Sequence, residues 1–460
     1  MGKYSNQVKT NEAWLPMIPS QWELKKIKWS FKERSEKGYP DEPLLVASQN
    51  MGVVPKNVYG KRTVEALKDL DKLKLVKVGD YVVSLRSFQG GIEYAYYQGI
   101  ISPAYTIMRP NPDFCSAYYK FLFKSAPFIK LLTTCVTGIR EGQNIDYGKL
   151  KNHYIPVPPR AEQDQIVRFL DWKVSEINRL IGIKKNQING YREYEKKVIN
   201  DKVLYGLQEA PLRESGNHWV GKIPTNWKII KLGKFCSFQN GISESGNFFT
   251  SGTPFVGYSD VYKHLELPKY VKGVAKANEQ QQEIFSVRKG DIFFTRTSES
   301  IEEIGMAAVC KHTIKDAVFS GFLIRCRPRM PLINEDYMKY YLQIPAVRNH
   351  FSSMMNIVIR ASLGQNLLKQ MPVVVPPLKE QKEIAEFLDA MHERFLRLIT
   401  TNEEEISMLE ELRSTLISDV VTGKIDVRNI PVPAYEHVDD MVADGGEGND
   451  EEPRIPGEED

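Results

Sequence analysis

In 460 residues there is no run of about 18 apolar positions, so no membrane-crossing helix is expected. The opening stretch MGKYSNQVKTNEAW is polar and does not read as a secretory leader. The five cysteines (Cys115, Cys135, Cys236, Cys310, Cys326) are odd in number and contain no C-x-x-C pair. A disulfide or zinc framework is therefore not expected, and reduced thiols in the cytoplasm are. They read as small buried hydrophobes. Seven histidines are scattered without an H-E-x-x-H, which excludes the common zinc-hydrolase pattern. No Gly-Lys pair is followed by Ser or Thr, so a phosphate-cradling loop is missing. Neither a glycine-rich loop between strand and helix nor the Asn-Pro-Pro-aromatic motif of an amino-methyltransferase occurs. Gly90-Gly91 and Gly138 read as turns. The chain is expected to be non-catalytic alone, with no catalytic residue, no metal and no cofactor of its own.

The charge is uneven. Net charge is +4, yet residues 436–460 hold eleven Asp or Glu against one Arg, a net of −10, which leaves +14 on residues 1–435. A basic body favours a polyanionic partner such as nucleic acid. A mildly basic enzyme without such a partner fits the charge equally well, so charge leaves the choice open. The acidic end, with its Gly and Pro, reads as disordered.

Self-similarity organises the rest. WLPMIPSQWELKKI (14–27) matches WVGKIPTNWKIIKL (219–232) at an offset of 205, through Ile18, Pro19, Trp22 and Ile223, Pro224, Trp227. VKVGDYVVS (76–84) matches VRKGDIFFT (287–295) at 211. IPVPPRAEQDQIVRFLD (155–171) matches VVVPPLKEQKEIAEFLD (373–389) at 218. Two copies of one unit share a frame and differ in their loops. Each copy reads as α+β: β-type runs DYVVSL and DIFFTR after Gly-Asp turns, aromatic-rich helical pieces, then Pro-Pro and a long helical pattern.

In that last pattern, Ile384, Leu388, Met391, Phe395, Leu398, Asn402, Glu405, Leu409, Leu412 and Leu416 follow steps of four and three. A shift of 218 carries the seam to Ile166, Leu170, Lys173, Ile177, Leu180, Lys184, Gln187, Tyr191, Tyr194 and Val198. Both predict long coiled-coil helices, the first ~60 Å over residues 162–204. Pro159 and Pro377 suit a helix start, and Glu162 and Glu380 suit its positive end. Both seams turn polar mid-helix, at Lys184/Gln187 and Asn402/Glu405. If the helices run antiparallel, these breaks meet and a Lys–Glu or Asn contact fixes register. Equally, the seam loosens there and the polar groups reach water.

Pro158-Pro159, Glu162-Gln163, Ile166 and Leu170, repeated as Pro376-Pro377, Glu380-Gln381, Ile384 and Leu388, resemble the specificity (S) subunit of type I restriction–modification systems. The Ile-Pro-x-x-Trp openings and the closing LISDVVTGKIDVR (416–428) add to the resemblance. The first helix departs from it, since VINDKVLYGL lacks the Thr-Gly-Lys, which puts its exit in doubt. The resemblance covers nearly the whole chain. It implies two α+β target recognition domains separated by two long antiparallel coiled-coil helices, each domain reading one half of a split, asymmetric site on double-stranded DNA. It also implies two docked methyltransferase subunits, with DNA adenine methylation, and restriction subunits carrying ATP-dependent endonuclease activity. S-adenosylmethionine belongs to the former, ATP and magnesium to the latter. The expected division is an N-terminal arm (1–13), recognition domain 1 (14–158), helix 1 (159–207), a linker (208–218), recognition domain 2 (219–376), helix 2 (377–425) and an acidic disordered tail (426–460). Two rival readings stay open: a coiled-coil adaptor without DNA readout, and an S-like subunit of a fused restriction–methylation enzyme.

Residue types that pair with bases recur at matching landmarks. Arg86, Ser87 and Gln89 follow the strand after Gly79-Asp80, and Arg296, Thr297 and Ser298 follow its counterpart. Arg140, Gln143 and Asn144 close the first domain; Arg360, Ser362, Gln365 and Asn366 close the second. Arg can bond guanine twice, and Asn or Gln adenine twice. Against this, Gly-Gln-Asn can simply cap or turn the approach to Pro-Pro, and Arg296 can pair with a nearby carboxylate. Lys56, Lys61 and Lys311 are candidates for phosphate contact. The expected helix-pair and partner interface is Ile166, Leu170, Ile177, Leu180, Lys184, Ile384, Leu388, Phe395, Leu398 and Glu405.

Overall fold

The computed structural model describes residues 2–60, 69–84, 87–112, 114–137, 144–244, 246–298, 304–353 and 361–438. The chain divides into two compact units, residues 1–187 with 401–460, and residues 188–400. The helices Arg160–Tyr205 and Leu378–Val421 are each shared between the two units.

The first unit holds a four-stranded antiparallel sheet in the order Phe31–Arg34, Thr106–Pro110, Tyr81–Val83, Glu93–Tyr94. The second repeats that order with Cys236–Asn240, Leu323–Pro328, Ile292–Thr295 and Ala307–Val309. The repeat in the sequence is therefore one sheet built twice. The shared Gly-Asp has a common purpose. Asp80 accepts the Lys77 N–H at 2.9 Å and pairs with Arg34 at 2.7 Å. Asp291 accepts the Arg288 N–H at 2.8 Å and pairs with Arg327 at 2.6 Å. Both carboxylates are buried and fully partnered, as burial of charge requires. The aromatic pieces are helices, Ser116–Lys124 and Glu335–Tyr341, that bury Tyr118, Tyr119, Tyr337 and Tyr341 against their sheets.

The openings and the Pro-Pro segments, far apart in sequence, lock together. Trp22 Nε1 donates to Glu162 at 2.9 Å, and Trp227 Nε1 donates to Glu380 at 2.6 Å. Gln163 donates to the Pro158 carbonyl and accepts from the Cys115 N–H; Gln381 donates to Pro376 and accepts from the Asn334 N–H. Both helix exits also match: Gly206 and Gly423 have φ of 82° and 75° and seat against Trp227 and Trp22. The expected difference at the first exit is absent, because a left-handed glycine, not Thr-Gly-Lys, makes the turn.

The helices run antiparallel in each unit. In the first, Asn178 meets Arg413 and Lys184 meets Glu405; in the second, Tyr191 meets Phe395 and Glu195 meets His392. The polar breaks do meet, with Lys184 Nζ 2.6 Å from Glu405. These side chains are 29% and 39% exposed, so the pair sits at the rim of the seam. Exposed pairs contribute up to about 1 kcal/mol. Exchanging both for leucine is expected to leave the antiparallel register intact and shift stability by no more than about that much, as read by thermal unfolding and by cross-linking of flanking cysteines.

Four apolar seam positions need correction, Tyr194 and Leu412 among them, at 58% and 54% exposed. Leu180 is 41% exposed while Ile181 is buried, and the first helix's core line runs Ile166, Leu170, Val174, Ile177, Ile181, Ile188. Steps of four outnumber steps of three, so the line follows a straight helix more closely than a strict heptad. Leu398 is 36% exposed, whereas Ile384, Leu388 and Phe395 are buried.

The arm and the linker are structured. Gln7–Glu12 pairs with Leu15–Pro19, and Leu212–Glu214 with Lys222–Pro224. Residues 426–438 pack rather than trail: Val427 is buried, Gln165 donates to the Val427 and Ile430 carbonyls, and Ser175 exchanges hydrogen bonds with Glu436 and Val438. All five cysteines are buried and free; burial pushes the Cys236 and Cys310 thiols up to about 12, keeping them protonated. Among the described residues, no helix is long and apolar enough to cross a membrane.

Candidate nucleic-acid interface

In the second unit the structure brings the two candidate stretches together. The strand Ile292–Thr295 ends at Arg296, and the chain then forms a short strand, Thr297–Ser298. That strand pairs antiparallel with Ala361–Ser362, Thr297 opposite Ser362. The Arg296 N–H donates to the Phe322 carbonyl at 2.8 Å, and the Leu363 N–H donates to the Arg296 carbonyl at 2.7 Å. Both faces of the Arg296 peptide are thus fixed, and its half-buried side chain is the variable part. Among the described residues no carboxylate pairs with it. Gly364 then caps the helix Gln365–Gln370, so Gln365 and Asn366 sit in its first turn. The capping alternative therefore holds for this stretch. Gln365 nevertheless aims its amide sideways, donating to Asn240 Oδ1 at 2.9 Å. Asn240 ends the strand Cys236–Asn240 and had no sequence signal beyond its place in the frame. Arg296, Thr297, Gln365, Asn366 and Asn240 form one polar edge carrying the donors and acceptors that base reading uses.

The first unit gathers less. Ser87 is buried and its hydroxyl accepts the Ser84 N–H at 2.9 Å, so it braces the turn rather than facing a ligand. Gln89 is exposed on the short helix Ser87–Gly90, and Asn144 is exposed in a strand paired with Val136–Thr137. Arg86, Arg140, Gln143, Arg360 and Lys61 lie outside the described residues. Lys311 is engaged already: it pairs with Asp336 at 2.7 Å and Glu266 at 3.6 Å. The hydrogen bond to Asp336 outweighs burial and raises its pKa above the ordinary lysine value. It is no free phosphate ligand. Among the described residues no cluster of His, Cys, Asp or Glu suits a metal ion.

A duplicated sheet with unlike loop edges, mounted on an antiparallel helix pair, is a frame for two different contacts. The model of the type I restriction modification DNA specificity domain matches residues 22–190 and again 224–408. The chain belongs to that family. Both matches start near a Trp-bearing opening and end within a long helix, as the duplicated frame does. Among curated relatives, the MjaX specificity subunit of Methanocaldococcus jannaschii is 24% identical over 446 residues, covering 89% of this chain and 95% of the relative. The MjaVIII specificity subunit of the same organism is 21% identical over 425 residues, covering 90% and 95%. A chain from a solved type I restriction–modification system, studied for complex assembly and conformational transition, superposes with a TM-score of 0.66. It is 16% identical and covers 89% of this chain and 99% of that one, so it speaks for the fold. The specificity subunits of this family are non-catalytic members of type I complexes. An adaptor without DNA specificity is not favoured.

Proposed function

We propose that the two recognition domains each read one half of a bipartite, asymmetric site on double-stranded DNA. The paired helices set the spacing of the half-sites and dock two methyltransferase subunits, and restriction subunits complete the assembly in the cytoplasm. The observation that carries this reading is the same four-stranded sheet built twice with different loop edges, in a chain of the specificity family. In the second domain the reading edge is Arg296, Thr297, Ser298, Ser362, Gln365 and Asn366, now with Asn240. In the first it is Gln89 and Asn144, together with Arg86, Arg140 and Gln143. Adenine methylation with S-adenosylmethionine is assigned to the methyltransferase partner, and ATP- and magnesium-dependent cleavage to the restriction partner.

The test is to express the chain with its methyltransferase partner and map methylated adenines by long-read sequencing. A split motif with an unread spacer is the expected result, together with DNA affinity that falls steeply with salt. Assembly with a partner but no sequence-selective, salt-dependent DNA binding would return the reading to an adaptor.

A further inference from the structure

The same edge of the second domain carries an apolar group that sequence patterning did not single out. Phe322 is 60% exposed, a large ring beside the polar groups of that edge. It sits in the turn between the strands Val318–Phe319 and Leu323–Pro328. That turn is held on every side. The Gly321 N–H donates to the Ile242 carbonyl at 2.7 Å, and the Ser320 N–H to Val256 at 3.0 Å. The Phe322 N–H donates to the Ser320 hydroxyl at 3.2 Å, and the Phe322 carbonyl accepts from Arg296. The backbones of 241–243 and 319–321 approach so closely that a Cβ at Gly241 would collide with the Phe319 and Ser320 carbonyls. Glycine there is what permits the approach.

A pinned turn presents its ring without paying ordering entropy on contact, which is the economy of a preorganised binding group. Left in water, the same ring forgoes the gain that burial against a partner would bring. Its neighbours supply hydrogen-bonding groups, Arg296 on one side and the Gln365–Asn240 pair nearby. What hydrogen bonds cannot read is the C5-methyl of thymine, and an apolar side chain can.

We infer that Phe322 is a specificity-determining residue of the second domain, packing on a thymine methyl in the major groove of its half-site. This rests on the proposed reading of that edge.

The assembled methyltransferase is measured on duplexes carrying its mapped site. Each thymine of the second half-site is replaced in turn by deoxyuridine, which removes only the methyl. The wild-type assembly is expected to lose affinity about fourfold at one position, the worth of one buried methyl. The Phe322→Ala assembly is expected to be weaker on the thymine duplex and indifferent to deoxyuridine at that position, with the first half-site unaffected as a control for folding. Deoxyuridine profiles that match in the two proteins overturn the assignment, as does a second half-site without an A·T pair. Arg296→Ala and Gln365→Ala are run alongside. If they alter the second half-site while the Phe322→Ala profile stays wild-type, the methyl contact falls and the reading edge stands. If none of the three alters it, the edge itself is misplaced and both ideas fall.

Discussion

Arg296→Ala is expected to relax one base pair of the second half-site by about 5- to 150-fold in discrimination and to leave the first half-site unchanged. That factor corresponds to the 1–3 kcal/mol of a bidentate contact between arginine and guanine. Two features make the substitution clean. The Arg296 peptide is held by backbone hydrogen bonds to Phe322 and Leu363, which alanine keeps. The strand pairing of Thr297 with Ser362 does not involve the side chain either. Arg86→Ala, at the matching landmark of the first domain, is expected to do the converse. Methylation mapping of the two variants side by side reads the result. Recognition unchanged in both halves would remove the two arginines as readers, and a loss spread over both halves would mark Arg296 as a phosphate contact.

The second large effect is on stability. Glu162 is buried and accepts from both Trp22 Nε1 and the Tyr4 hydroxyl, at 2.9 and 2.5 Å. Burial first, and Glu162 second, push the Tyr4 hydroxyl well above its ordinary range, so it remains a donor at any working pH. Glu162→Ala strands two buried donors at about 1–3 kcal/mol each, or roughly 2–6 kcal/mol together. For a unit of this size that lowers Tm by about 4–24 °C. Hydrogen exchange should quicken in peptides of the first unit and stay as before in the second. Glu162→Gln keeps an acceptor oxygen and should recover much of the loss. Glu380→Ala should cost less, because Glu380 is only half-buried. Equal costs at the two sites would show that burial is not what sets the price.

Much of this is legible in the sequence. The repeat predicted two like domains because Ile-Pro-x-x-Trp, Gly-Asp and Pro-Pro-x-x-Glu-Gln are not generic patterns. Each turned out to take part in side-chain hydrogen bonds between segments far apart in the chain. The meeting of Lys184 with Glu405 was one of two readings the sequence left open, and the pair forms while both side chains stay partly exposed. Leu180 was misplaced for a physical reason. A seam copied between helices at a fixed offset ignores the local step from Leu170 to Val174, and a single residue turns a side chain through 100°. The proposed reading edge was half legible. Residue chemistry marked Arg296 and Gln365, but their union depends on the pairing of Thr297–Ser298 with Ala361–Ser362, across more than sixty positions. Ser87 looked polar and available, and burial could not be read from its type. Asn240 and Phe322 carried no pattern, because a strand end and a turn tip gain meaning only from what folds beside them.

The first unit is assembled from both ends of the chain, and the second from one uninterrupted stretch. During synthesis, then, the second unit has all its residues once position 400 has left the ribosome. The first must wait for Leu416, Val420, Val421 and Val427, which its core buries, and for Gly423, on which Trp22 rests. The domain translated first is the last to be finished. A message broken shortly before codon 416 would leave the second domain whole and the first without its floor, so an incomplete chain could not form a two-half reader.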